Sequence, residues 1–165
     1  QISGAKVMAT AGDVTVSAEE SARVINVVIG GAASSEGGAI GGSLAVNMIG
    51  NSVSAAIKAG TVGGVTTASD VTANGNVAVL AKDTASIATL AGNISASFSG
   101  KFGVGLALAV NSIQDSVSAL IDNSSVKATT GNITVDATFA KPTTLPSGLD
   151  VQIAAMAVSG GGAQC

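Results

Sequence analysis

The chain has 165 residues, enough for one continuous core and too few for several independent ones. It is 47% hydrophobic and only 10% charged, with a net charge of -3, where ordinary soluble domains carry about 25% charged residues. That balance argues against disorder, and seven scattered Lys and Arg with no Trp or Tyr argue against a nucleic-acid partner.

In chain order, the first clear element follows Gly12, where Val14, Val16 and Ala18 alternate with Asp13, Thr15 and Ser17. Period two places one set on a buried face of a strand and the other on the opposite face. The Ala-rich patch Ser17 to Ala22 is compatible with a turn of helix, and Glu19 and Glu20 read as a solvated corner. From Ile40 to Met48, Ile40, Leu44, Val46 and Met48 share one face, and Gly41, Ser43, Ala45 and Asn47 share the other. Val53, Ala55 and Ile57 then alternate with Ser52, Ser54 and Lys58, and Val77, Val79 and Ala81 form the next inward set after Gly75. Val104, Leu106, Leu108 and Val110 oppose Gly105, Ala107, Ala109 and Asn111; Val117, Ala119 and Ile121, and finally Ile133, Val135 and Ala137, complete the series. Corners rich in Gly, Asn and Asp separate the runs.

These runs repeat. Leu44 to Ile57, LAVNMIGNSVSAAI, realigns without gaps on Leu108 to Ile121, LAVNSIQDSVSALI, 64 positions on, with ten identities in fourteen. A second marker recurs as GDVTVSA at Gly12, GNVAVLA at Gly75 and GNITVDA at Gly131, at intervals of 63 and 56. The shorter interval places a length change in a loop near Gly60 to Ala68. Short strands in a unit of this length bury their apolar face by stacking on further copies. The expected fold is therefore all-β: a parallel β-solenoid, or β-helix, of about two and a half long repeats. It forms a single segment over 1–165, with repeat 1 at about 12–74, repeat 2 at about 75–130 and a partial repeat 3 at about 131–165. With coils of roughly 20 residues, each repeat would make about three coils, its Val, Ile and Ala forming inner ladders and its Ser, Thr and Asn outer rows.

Chemistry is scarce. Without His, and with Cys165 as the sole cysteine, the usual zinc sites and the Ser-His-Asp and Cys-His constellations are excluded. The ten acids are dispersed, and Asp115, Asp122 and Asp136 read as solvated positions on or beside strands. Gly100 to Gly105 lacks the GK[ST] ending of a phosphate loop, and GGxGxD calcium repeats are absent. The sequons at Asn93, Asn123 and Asn132 are of the kind that arise by chance in a Ser/Thr/Asn-rich chain. No catalytic, cofactor-binding or metal-ligating residue is assigned, and no cofactor is expected. The one candidate surface is the face of small side chains, Gly41, Ser43, Ala45 and Asn47 with Gly105, Ala107, Ala109 and Asn111, expected to pack against a second sheet, a loop or a neighbouring chain.

Membrane insertion is not expected. The strongly apolar stretch Val104 to Val110 is far shorter than the roughly 20 residues of a spanning helix. Phe98, Phe102 and Phe139, the only aromatics, cannot form the girdles of an outer-membrane barrel. The chain begins at Gln1 with no signal-like segment, which reads as a piece of something longer.

The run LALAVNSIQDSVSALIDNSSVKATTGNITVDA and its earlier copy resemble the repeat regions of large bacterial surface adhesins and filamentous-haemagglutinin-like exoproteins, including leukotoxin-type filamentous proteins. The similarity extends from about Gly12 to Ala140 and is one of repeat style. It implies a non-enzymatic structural or adhesive stalk on the bacterial surface. Its partners would be adjacent repeats, other copies of the chain, or a host or neighbouring-cell surface. The alternatives are a self-assembling subunit of an extracellular fibre and a glycan- or ice-binding solenoid.

Overall fold

In a computed structural model of the chain, residues 1–99, 102–140 and 152–163 are described. They form β1 (Ile2–Ser3), β2 (Lys6–Ala9), β3 (Val14–Ser34), β4 (Ala39–Ile49), β5 (Ser52–Lys58), β6 (Gly60–Val62), β7 (Val65–Thr67), β8 (Ser69–Ala73), β9 (Val77–Ser97), β10 (Gly103–Ile113), β11 (Ser116–Asp122), β12 (Ser124–Ala128), β13 (Ile133–Phe139) and β14 (Ile153–Ala163). The described residues contain no helix; Ser17 to Ala22 lies within β3, its alternation continuing into the β-branched run that follows.

Parallel pairing joins copies of the repeat. Val7 pairs with Val71 and Val71 with Val126; Val53 pairs with Val117, Val77 with Ile133, Ile40 with Val104 and Ile87 with Ile153. Hydrogen-bonded partners are thus one whole repeat apart, and each repeat contributes one strand to a sheet. This corrects the expectation of three coils of roughly 20 residues per repeat. Strands within a repeat face one another across a core, and their backbone groups are satisfied by the neighbouring copy.

The fold divides into two compact units, and the division falls inside both long strands, β3 and β9. The first unit comprises Gln1–Ser21, Gly50–Thr84 and Asp115–Ala140. It holds the sheets β1-β5-β11 and β2-β8-β12, together with β13 paired to the first half of β9, which also pairs with β3. Val16, Val53, Ala55, Ile57, Val71, Ala73, Val77, Val79 and Ala81 form one buried cluster, which gathers the inward sets anticipated at Val53 to Ile57 and Val77 to Ala81. The third set, Ile133, Val135 and Ala137, is instead exposed, because among the described residues no further copy stacks on β13 at the end of its sheet. Its residues stack in rows of like side chains, such as Ile2, Ile57 and Ile121.

The length change falls at one corner of this unit. Gly4 and Asn123 turn that corner with φ of 58° and 43°, each following the partner of Lys58 in its own strand. The middle copy instead inserts the antiparallel hairpin β6-β7, turned through Gly63 and Gly64. Glycine meets no Cβ penalty there, and a lone Asn tolerates the left-handed region better than other side chains.

The second unit takes Ala22–Ile49, Ala85–Gln114 and residues 152–163. It consists of the pair β4-β10 facing a sheet in which β9 pairs with β3 and β14. Here the expectation of outer Ser, Thr and Asn rows is overturned. β9 is one strand of 21 residues whose odd-numbered residues are all buried, so Thr89, Asn93, Ser95 and Ser97 turn inward as Val77, Val79 and Ala81 do. Leu90 and Ile94 consequently face outward.

Candidate functional site

The face of small side chains lies inside the second unit. Gly41, Ser43, Ala45 and Asn47 of β4 stand in register with Gly105, Ala107, Ala109 and Asn111 of β10, and all eight are buried or half-buried. The opposing layer comes from β3, β9 and β14. Approach is close because glycine supplies no side chain: a Cβ at Gly41 would lie 2.8 Å from Ser95 Oγ and 2.9 Å from Asn93 Nδ2. A Cβ at Gly30 would meet Asn93 Nδ2 at 2.8 Å, and one at Gly105 would meet Asn93 Oδ1 at 2.7 Å. Three glycines from three strands therefore make room for one buried amide.

Polar contacts join these layers. Asn26 Nδ2 donates to Asn47 Oδ1 at 2.9 Å, and Asn47 Nδ2 donates to Thr89 Oγ1 at 2.7 Å and to Asn111 Oδ1 at 2.9 Å. Thr89 Oγ1 donates to Asn111 Oδ1 at 2.8 Å, and Asn111 Nδ2 reaches Ala154 O at 3.1 Å. Stacked Asn side chains bonded along the pairing direction form the kind of ladder seen in tightly stacked parallel sheets. The outer surfaces are aliphatic: Leu44, Val46, Leu106 and Leu108 on one side and Ile25, Ile29 and Ile94 on the other are exposed.

A second cluster sits in the first unit. Asp83, with no side-chain exposure, faces Asp115 at the turn before β11, and Asn51 N donates to Asp115 Oδ1 at 2.7 Å. Neither oxygen of Asp83, nor Oδ2 of Asp115, has a well-formed hydrogen bond while both groups are ionised; the backbone of Thr84 lends Asp83 only a weak one. Protonating one carboxyl makes it the donor to the other. Burial is the main reason the Asp83 pKa rises from 3.8 to about 6; the hydrogen bond with Asp115 and the charges of Asp115 and Glu20 add to it.

The remaining sequence candidates are scattered. Asp122 is exposed, Asp136 accepts from Thr138 Oγ1 at 2.8 Å, and Glu19 is paired with Lys82 at 3.1 Å on the surface. Asn93 is buried, which leaves its sequon no room for a glycan. Gly100, Lys101 and Cys165 lie outside the described residues. Among the described residues no three His, Cys, Asp or Glu side chains gather where they could hold a metal ion.

The sequence reading missed the interior Asn and Thr residues and the burial of Asp83. Their signal was parity: Asp83 follows Val77, Val79 and Ala81 at steps of two. Comparison with family models, curated proteins and solved structures finds no match to this chain.

Proposed function

We propose that the chain is a segment of a β-solenoid and serves as a structural or adhesive stalk in an extracellular fibrous protein of a bacterial surface. The carrying observation is the register: each repeat gives one strand to a sheet, as Val7, Val71 and Val126 do, so that further copies extend every sheet without a new kind of contact. In this reading the chain is not an enzyme, and it needs no cofactor. Its partners are neighbouring repeats, other copies of itself and, where it adheres, a cell surface.

The same register limits what such a stalk is good for. Strands in a sheet lie about 4.8 Å apart, so one repeat adds only about that much length. Repeats of this size are therefore a poor spacer for their mass. The exposed Leu44, Val46, Leu106 and Leu108 favour, as a second reading, a subunit that assembles into a fibre. Chains carrying one, two and four additional copies of residues 44–107 test the solenoid reading by electron microscopy. Particles lengthening by about 4.8 Å per copy support it; separate globular beads would refute it.

A further inference from the structure

The outer face of β3, β9 and β14 in the second unit carries no charge from residue 24 to 34, 85 to 97 or 153 to 163. Ile25, Val27, Ile29, Leu90, Ile94 and Met156 are exposed on it. Strands of 11 residues at about 3.3 Å per residue, three abreast at about 4.8 Å, cover on the order of 500 Å². Two such faces in contact remove about 1,000 Å² from water, the lower bound for a specific interface. The face also has relief. A groove of about 450 Å³ opens between Ile25, Val27, Leu90 and Met156. Farther along β3 and β9, Ile29 and Ile94 are 74% and 71% exposed.

We propose that this face is an isologous interface between two copies of the chain. A two-fold axis lying in the face and perpendicular to its strands sets the copies antiparallel. Each copy's Ile29 and Ile94 then stand over the groove of the other. A bilayer suits the same face less well. The strands are long enough to cross hydrocarbon, but among the described residues β14 pairs only with β9, and β4 and β10 only with each other. Each unpaired backbone group at those edges would cost several kcal/mol in lipid, whereas face-to-face pairing in water leaves the edges hydrated. The inference does not depend on the stalk reading, since it uses only the face.

Sedimentation velocity of the 165-residue chain over a range of concentrations tests it. Wild type is expected to pass from monomer to dimer. Ile29→Lys with Ile94→Lys should remain monomeric with an unchanged far-ultraviolet dichroism spectrum. Val62→Lys, which places a lysine on the β6-β7 hairpin away from this face, should dimerise as wild type does. Should the lysine variant misfold, Ile29→Ala with Ile94→Ala must still weaken dimerisation. A wild type that stays monomeric, association that survives the lysine pair, or equal loss in Val62→Lys overturns the proposal. So does co-flotation of wild type with phosphatidylcholine vesicles in place of dimerisation.

Discussion

Asp83 meets Asp115 inside the first unit, one carboxyl against another, with an N–H of Asn51 already bound to Asp115. Two ionised carboxylates cannot share that space without loss, because neither supplies a donor and burial strips water from Asp83. The groups facing Asp83 are Asp115, Glu20 on β3 and the backbone at Thr84, of which only the last favours its ionised form. Phe139 of β13 pairs with it in the ladder and brings no charge.

The sign of the pH effect follows. The folded pKa lies near 6 and the unfolded one near 3.8, so the folded state binds the proton more tightly. The stabilisation is fully present below about pH 4 and is lost as pH rises through about 6, a difference of about 3 kcal/mol. Urea titrations should give a higher midpoint at pH 4.5 than at pH 7.5. Asp83→Asn, which keeps a donor at every pH, should raise the midpoint at pH 7.5 and flatten the profile. An unchanged profile in that variant would show that the dependence originates elsewhere.

Gly41 and Asn93 form a second coupled pair. A methyl group at position 41 would press on the Asn93 amide and on Ser95 Oγ, and overpacking of this kind costs about 1–3 kcal/mol. Gly41→Ala should therefore lower the denaturation midpoint. Asn93→Ala removes a buried amide whose Nδ2 has no partner and opens the space that the new methyl needs. The double variant is expected to be more stable than the two single losses predict, by roughly 1 kcal/mol or more of coupling. Strict additivity would mean that the two residues do not compete for one volume.

Much of this fold was legible in the sequence because its information is periodic. The alternation at Val53, Ala55 and Ile57 and at Val77, Val79 and Ala81 reports the face each residue occupies, and the structure buries those residues. The 64-residue offset between Leu44 and Leu108 is the register of the ladder itself. What periodicity leaves open is which of two faces is the inside when one is aliphatic and the other small. Hydrophobicity favours burying Leu44 and Val46; the structure exposes them and buries Ala45. Continuity of β9 through Asp83 to Ser97 decides the matter, and that continuity is a property of the whole strand. The Asp83-Asp115 contact was hidden for another reason: it joins residues 32 positions apart through a corner that no local pattern describes.

Asn47 bonds to side chains on three strands, accepting from Asn26 and donating to Thr89 and Asn111. Removing it strands the Asn26 amide and takes one of the donors from Asn111. Asn47→Ala should cost about 1–3 kcal/mol, the usual range for leaving partly buried polar groups unpaired. Asn47→Leu should fare no better, because the facing layer is spaced for small side chains. Thermal unfolding followed by dichroism measures both, and a loss confined to a few tenths of a kcal/mol would assign the ladder no stabilising role.

The β6-β7 hairpin offers the opposite expectation. Ser69 Oγ donates to Lys58 O at 2.7 Å across it, and Ser124 Oγ donates to Asp122 O at 2.9 Å where no hairpin intervenes. Ser124 pairs with Ser69 and Asp122 with Lys58, so the same corner is closed by the same bond with one residue, Asn123, in place of ten. The hairpin's Val62 and Val65 are exposed and lie outside the buried cluster. Replacing residues 59–68 by a single Asn should keep the fold and change stability by no more than about 2 kcal/mol, because loop closure depends only logarithmically on length. Gly is the better choice should the corner resist a side chain, since Gly4 turns it in the first copy. Loss of cooperative unfolding in both shortened chains would mean that the hairpin supports the corner through contacts its exposure does not reveal.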